Sequence, residues 1–122
     1  MEHLANRETI VLLEQWAIWA KQNKGLNINW QSVSATAGPQ ESDHRDTTIS
    51  DDLALIIDGL MGKLIKRNPK LGNVLYWYYL SEGNASKVAR VMGLNRKEIA
   101  SIARSGEVWF DLALEVILGE GA

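Results

Sequence analysis

The chain of 122 residues contains no cysteine. That excludes disulfides, thiol nucleophiles and every zinc site built on thiolates. Histidine is scarce. His3 and His44 stand far apart in polar stretches, a pattern of solvated side chains rather than of a metal centre. No metal and no cofactor are expected. No apolar run approaches the roughly 20 residues that span a bilayer. The opening MEHLANRETI has no apolar core of a secretory signal. The expectation is therefore a cytoplasmic protein with no membrane partner. There is also no glycine loop of the phosphate-cradling kind and no paired histidine. Asp51 and Asp52 are the nearest thing to a carboxylate pair, but neighbours on a helix do not face each other. Helix capping explains them better, and no enzymatic activity is expected. No segment alternates with period two, and no internal repeat stands out, so no strand is predicted.

What the chain does have is hydrophobic content of 46%, enough to bury a core, and a charge pattern that its net −2 conceals. Residues 1–58 hold four basic and nine acidic side chains. Residues 59–105 hold nine basic and only two acidic, Glu82 and Glu98. Residues 106–122 carry four acidic and no basic residue. A basic middle lies between two acidic ends, and it is the local field that attracts polyanions.

The apolar spacing is helical throughout, and the predicted class is all-α. Residues 7–23 read as a helix from Ile10, Leu13, Trp16 with Ala17, and Ala20. Val11, Leu12, Ile18 and Trp19 widen its buried face, and Gly25 ends it. Trp30–Ala35 suggests a short helical turn. Residues 38–49 read as a linker, rich in polar residues. Ser50 with Asp51 and Asp52 is a strong helix start. Leu53, Ile56, Ile57, Leu60, Leu64 and Ile65 form the stripe that follows. Asn68–Pro69 opens another helix, along Leu71, Val74, Leu75, Tyr78 and Tyr79. The aromatic run YWYY at 76–79 could stack bases, but aromatics on such a face are more often core. The organisation predicted is one compact helical domain over 1–122. An N-terminal helix and turn occupy 7–37, the linker 38–49, and a core ending in a helix-turn-helix 50–118.

The stretch ASKVARVMGLNRKEIASIAR, residues 85–104, carries the functional reading. A helix-turn-helix needs a small residue for close helix approach, a turn residue that tolerates positive φ, and inward apolar residues on both sides. Ala89, Gly93, Leu94, Val88, Met92, Ile99 and Ile102 meet those needs. Asn95 with Glu98 forms a variant of the capping box. Arg96, Lys97, Ala100, Ser101 and Arg104 remain outward, where a recognition helix presents residues to bases and phosphates. Lys87 and Arg90 of the first helix, and Asn95 of the turn, complete the predicted DNA-facing set. The second helix is expected to run on past Arg104, with Val108, Trp109, Leu112, Ala113, Val116 and Ile117 continuing its apolar face towards the C-terminus. Gly106 is expected to let it approach the first helix of the pair closely. The bland alternative is a helical hairpin whose cations are merely solvated.

Four stretches together resemble the phage antitermination protein Q family: LLEQWAIWAKQN, INWQSV, ISDDLALIIDGLMGKLIKRNPKLGNVLYWYYL and VARVMGLNRKEIASIARSGEVWFDLAL. The likeness is to its small branch found in Shiga-toxin phages and covers about residues 10–115. Leu64 to Leu114 also resembles region 4 of sigma factors. The resemblance implies a regulator of phage late genes in the bacterial host cytoplasm. It would bind a double-stranded DNA element in the late promoter and engage RNA polymerase paused downstream, with or without its sigma factor. The polymerase would then read through terminators. Some Q proteins of other branches use zinc and cysteines; this chain has none, so no metal carries over. A plain repressor or activator, or a polymerase-binding module that reads no DNA, stays open. A homodimer also stays open, through exposed aromatics and the apolar C-terminal helix.

Overall fold

A computed structural model of the chain describes residues 7–23 and 49–119. These form five helices: α1 (Arg7–Asn23), α2 (Asp51–Arg67), α3 (Pro69–Leu80), α4 (Ala85–Met92) and α5 (Arg96–Gly119). No strand occurs among the described residues. The expected turn at Trp30–Ala35 and nearly all of the 38–49 linker lie outside them. Ile49, placed in that linker, is instead buried in the core.

Local signals set the helix ends. The Ser50 hydroxyl accepts the Leu53 amide at 3.1 Å and starts α2. Asn68 serves two helices. Its amide closes α2 on the Leu64 carbonyl at 2.8 Å, and its side chain accepts the Leu71 amide at 3.2 Å to open α3. Pro69 at the first position gives up no hydrogen bond there. The two helices meet with almost no space between their backbones. A Cβ on Gly72 would sit 2.6 Å from the Ile65 Cα.

The main core collects Leu13 and Trp16 of α1, Ile57, Met61 and Leu64 of α2, Leu75 and Tyr79 of α3, and Phe110 and Leu114 of α5. Trp16 and Phe110 are fully buried. Burying a side chain of that size contributes about 1.5–3 kcal/mol. Tyr79 is buried, while Tyr76, Trp77 and Tyr78 pack against the core half-covered. The Tyr76 ring lies 5.7 Å from Trp16. The aromatic run thus packs on the cores, with Tyr79 inside and the other three at the margin. A second, smaller core joins Val74 of α3, Val88 and Ala89 of α4, and Ile99 of α5.

Two expectations for α5 need correction. Its core face is Ile99, Ala103, Gly106, Phe110 and Leu114, not the predicted set. Leu112 is 53% exposed, Val116 62% and Ile117 43%, while Val108, Trp109 and Ala113 are half-buried. The buried set lies about a third of a turn around the helix from the expected one, and it includes Gly106 and Glu107, which no apolar spacing marks. Gly106 also packs against α3 rather than the first helix of the 85–104 pair. A Cβ there would lie 2.9 Å from a Leu75 methyl.

Candidate nucleic-acid interface

The α3–α4 connection is short and wound tightly. Glu82 (φ 62°) and Gly83 (φ 78°) both take left-handed backbone, and Asn84 then caps α4 by accepting the Lys87 amide at 3.1 Å. Helix α4 ends at Gly93, whose φ of 72° is the conformation glycine adopts without strain. The Leu94 amide reaches back to the Ala89 carbonyl at 3.0 Å, closing the last turn. Leu94 itself packs under the turn against the smaller core. Asn95 and Glu98 then bond reciprocally. The Glu98 amide donates to Asn95 Oδ1 at 2.9 Å, and the Asn95 amide donates to Glu98 Oε1 at 3.2 Å. This is the expected capping box, with Asn in the place of Ser or Thr. It fixes the direction in which α5 leaves the turn.

Ile99 and Ala103 then hold α5 inward, both fully buried. The opposite side of its first turns is open. Arg96, Lys97, Ser101 and Arg104 are exposed, as are Asn95 and Arg90. Ala100 and Lys87 are half-buried. Helical spacing brings Lys97, Ala100, Ser101 and Arg104 to one side of α5. Arg96 stands apart from them, over a recess that Ser81, Asn84 and Ser86 line at the start of α4. Arg104 borders a groove between α1, α3 and α5, where Glu14, Tyr78 and Glu107 also lie. Among the residues lining that groove are the carboxylates of Glu14, Glu82 and Glu107 and the cation of Lys21.

Five carboxylates act as acceptors that tie the helices together, and of these Glu107 is buried. Trp19 donates to Asp51 at 2.9 Å and Trp16 to Asp58 at 3.2 Å, tying α1 to α2. Thr9 donates to Asp111 at 2.8 Å, tying α1 to α5. The Tyr79 hydroxyl donates to the buried Glu107 at 2.6 Å, tying α3 to α5. Lys21 pairs with Glu82 at 3.1 Å, tying α1 to the α3–α4 turn. The exposed cations Arg90, Arg96, Lys97 and Arg104 of α4 and α5 share that surface with one exposed carboxylate of the same stretch, Glu98. Burial first, then the bond to Glu107 and its charge, pushes the Tyr79 phenol far above its usual range, so it stays protonated and donating.

Sequence reasoning missed these acceptor roles. The partners lie between 28 and 102 residues apart for Tyr79–Glu107 and Thr9–Asp111, and no local pattern announces them. Among the described residues no three His, Asp or Glu side chains gather as a metal site, and no helix is long and apolar enough to cross a membrane. His3 and His44 lie outside the described residues. Comparison with curated proteins and with solved structures gave no match. Comparison with family models did: residues 6–118 match the one described as phage antitermination protein Q.

Proposed function

This chain belongs to the phage antitermination protein Q family, and we propose that it acts by binding duplex DNA through α4 and α5. In this reading the pair is a DNA-binding helix-turn-helix related to sigma region 4, and its target is an element of a phage late promoter. Helix α5 lies in the major groove with Lys97, Ala100 and Ser101 toward base edges. Arg96, Lys87, Arg90 and Arg104 face phosphates, and Asn95 sits at the groove's lip. The factor then engages RNA polymerase paused just downstream and alters it so that it passes terminators. It works in the host cytoplasm.

One observation carries this reading. A capped helix, fixed by Gly93 and the Asn95–Glu98 box, holds exposed cations on the side opposite its buried Ile99 and Ala103. Residues 84–105 carry five basic side chains and one acidic. A handful of phosphate contacts supplies most nonspecific affinity and makes it steeply salt-dependent. The family's role in antitermination supports the second half of the reading.

The test is transcription in vitro by purified polymerase through a terminator placed below a related late promoter. The expected result is readthrough that needs the protein and the promoter element together. Readthrough absent on every related promoter overturns the reading. Readthrough undiminished by Arg96→Ala with Lys97→Ala leaves a polymerase-binding module and overturns the DNA half.

A further inference from the structure

Helix α2 divides its charge at Gly59. Its acidic side chains, Asp51, Asp52 and Asp58, all precede that residue, and its basic ones, Lys63, Lys66 and Arg67, all follow it. Asp51 and Asp58 accept from Trp19 and Trp16 of α1. Asp52, Lys63 and Lys66 have no opposite charge within ion-pair distance among the described residues. All three are exposed, and they share one face of α2 with Leu55, Gly59 and Gly62 at helical steps of three and four. That face lies opposite the buried stripe of Ala54, Ile57, Met61 and Leu64. Leu55 stands in it 57% exposed.

The bundle makes no use of this face. A Cβ added at Gly59 or Gly62 would meet nothing within 4 Å, whereas one at Gly72 or Gly106 would collide with a neighbouring helix. Glycine weakens a helix interior, and at Gly59 and Gly62 the packing of this chain gives nothing in return. What the two positions do allow is close approach by a second backbone.

The order of charge along α2 selects what approaches. A helix acidic at one end and basic at the other is complementary to itself turned end for end. A two-fold axis through Gly59 sets Asp52 against Lys66 of a second copy, and repeats that pair on the far side of the axis. Asp52 and Lys66 each stand seven residues from Gly59, about 10 Å along the helix. The same axis lays Leu55 along the aliphatic stem of Lys63 of the second copy, whose ammonium reaches past it to water. A polyanion drawn to Lys63, Lys66 and Arg67 would instead meet Asp51 and Asp52 at the other end of the helix, and would leave Leu55 uncovered.

We propose that the outer face of α2 is a self-association surface, on which a second copy of this chain packs antiparallel with the two helices crossing at Gly59. The inference goes beyond the function proposed above and does not depend on it. A contact made by one helix is small beside the roughly 1,600 Å² of a standard interface, so the pair is weak and forms at high protein concentration.

The experiment is analytical ultracentrifugation of the full chain over a concentration series reaching about 1 mM, the range in which weak pairs form. The variants are Asp52→Lys, Lys66→Asp and Gly59→Leu, all at exposed positions, with folding checked by circular dichroism. The expected result is a monomer–dimer equilibrium in the wild type. Each charge reversal sets like charges together at two places, and should weaken the dimer about tenfold or more. Gly59→Leu should weaken it as well, because the added side chain fills the crossing point. Asp52→Lys mixed with an equal amount of Lys66→Asp restores an opposite pair at both places, and the mixture should associate as the wild type does. A monomeric wild type at every concentration overturns the inference. So does a mixture of the two charge reversals that associates no better than either alone. Lys66→Asp that loses affinity for late-promoter DNA while wild-type self-association is untouched by all three variants also overturns it, by assigning the cations to phosphates.

Discussion

Alanine at three helical glycines isolates how closely α5 and α2 approach α3. Alanine stabilises a helix interior by about 0.8–1.0 kcal/mol over glycine. At Gly62 a new Cβ meets nothing within 4 Å, so Gly62→Ala should collect that gain in full. At Gly106 the same Cβ meets Leu75 at 2.9, 3.1 and 3.2 Å, the last being the Leu75 Cβ, which cannot rotate away. Overpacking of that kind costs about 1–3 kcal/mol, so Gly106→Ala should be neutral to destabilising by about 2 kcal/mol. At Gly72 the obstacle is the Ile65 backbone at 2.6 and 2.7 Å, and only a shift of α2 against α3 relieves it. Gly72→Ala should therefore lose the most, more than about 2 kcal/mol. Urea unfolding followed by tryptophan fluorescence gives all three values. The order Gly62, Gly106, Gly72 from most to least stable is the prediction. Equal gains at Gly62 and Gly106 would refute the contact between α5 and α3.

Two further predictions concern the elements that hold α5. Tyr79→Phe strands the buried Glu107 carboxylate without its donor and should cost about 1–3 kcal/mol near neutral pH. The raised phenol pKa means that the stabilisation it reports is complete below the unfolded value of about 10 and is lost as pH climbs above it. Denaturation from pH 7 to pH 11 should thus show wild type losing stability more steeply than Tyr79→Phe; parallel curves contradict the buried bond. Asn95→Ala removes a cap worth about 0.5–2 kcal/mol. It should speed amide exchange in the first turn of α5 while leaving α1 and α2 unchanged, and should weaken DNA binding along with it.

The parts of this molecule that were readable in advance are those whose cause is local. The apolar spacing alone places the first helix at 7–23, where α1 lies. Ser50, Asn68 with Pro69, Gly93 and the Asn95–Glu98 box each act within a few residues, and each does what its position implied. The distal half of α5 is ambiguous in sequence because two apolar sets share helical spacing there. The set that faces the core contains Glu107, which looks solvent-bound until Tyr79 arrives from another helix to bond it. Gly72 likewise looks like a mere weakness in α3, since its reason is the Ile65 backbone across the corner. On α5, Lys97 and Ser101 are exposed, as their spacing requires. That Arg104 borders a groove shared with α1 and α3 depends on where α1 packs, which no spacing within α5 encodes.

The central claim is that the open side of α5 enters DNA beside the position at which polymerase pauses. Nuclease footprinting of the protein on a phage late-promoter region, with and without polymerase, tests it most directly. The account predicts a protected site that Lys97→Ala weakens, with the salt slope of binding reduced by about 1, and that polymerase extends downstream. Equal protection by wild type and by a Lys97→Ala, Ser101→Ala double variant would contradict it.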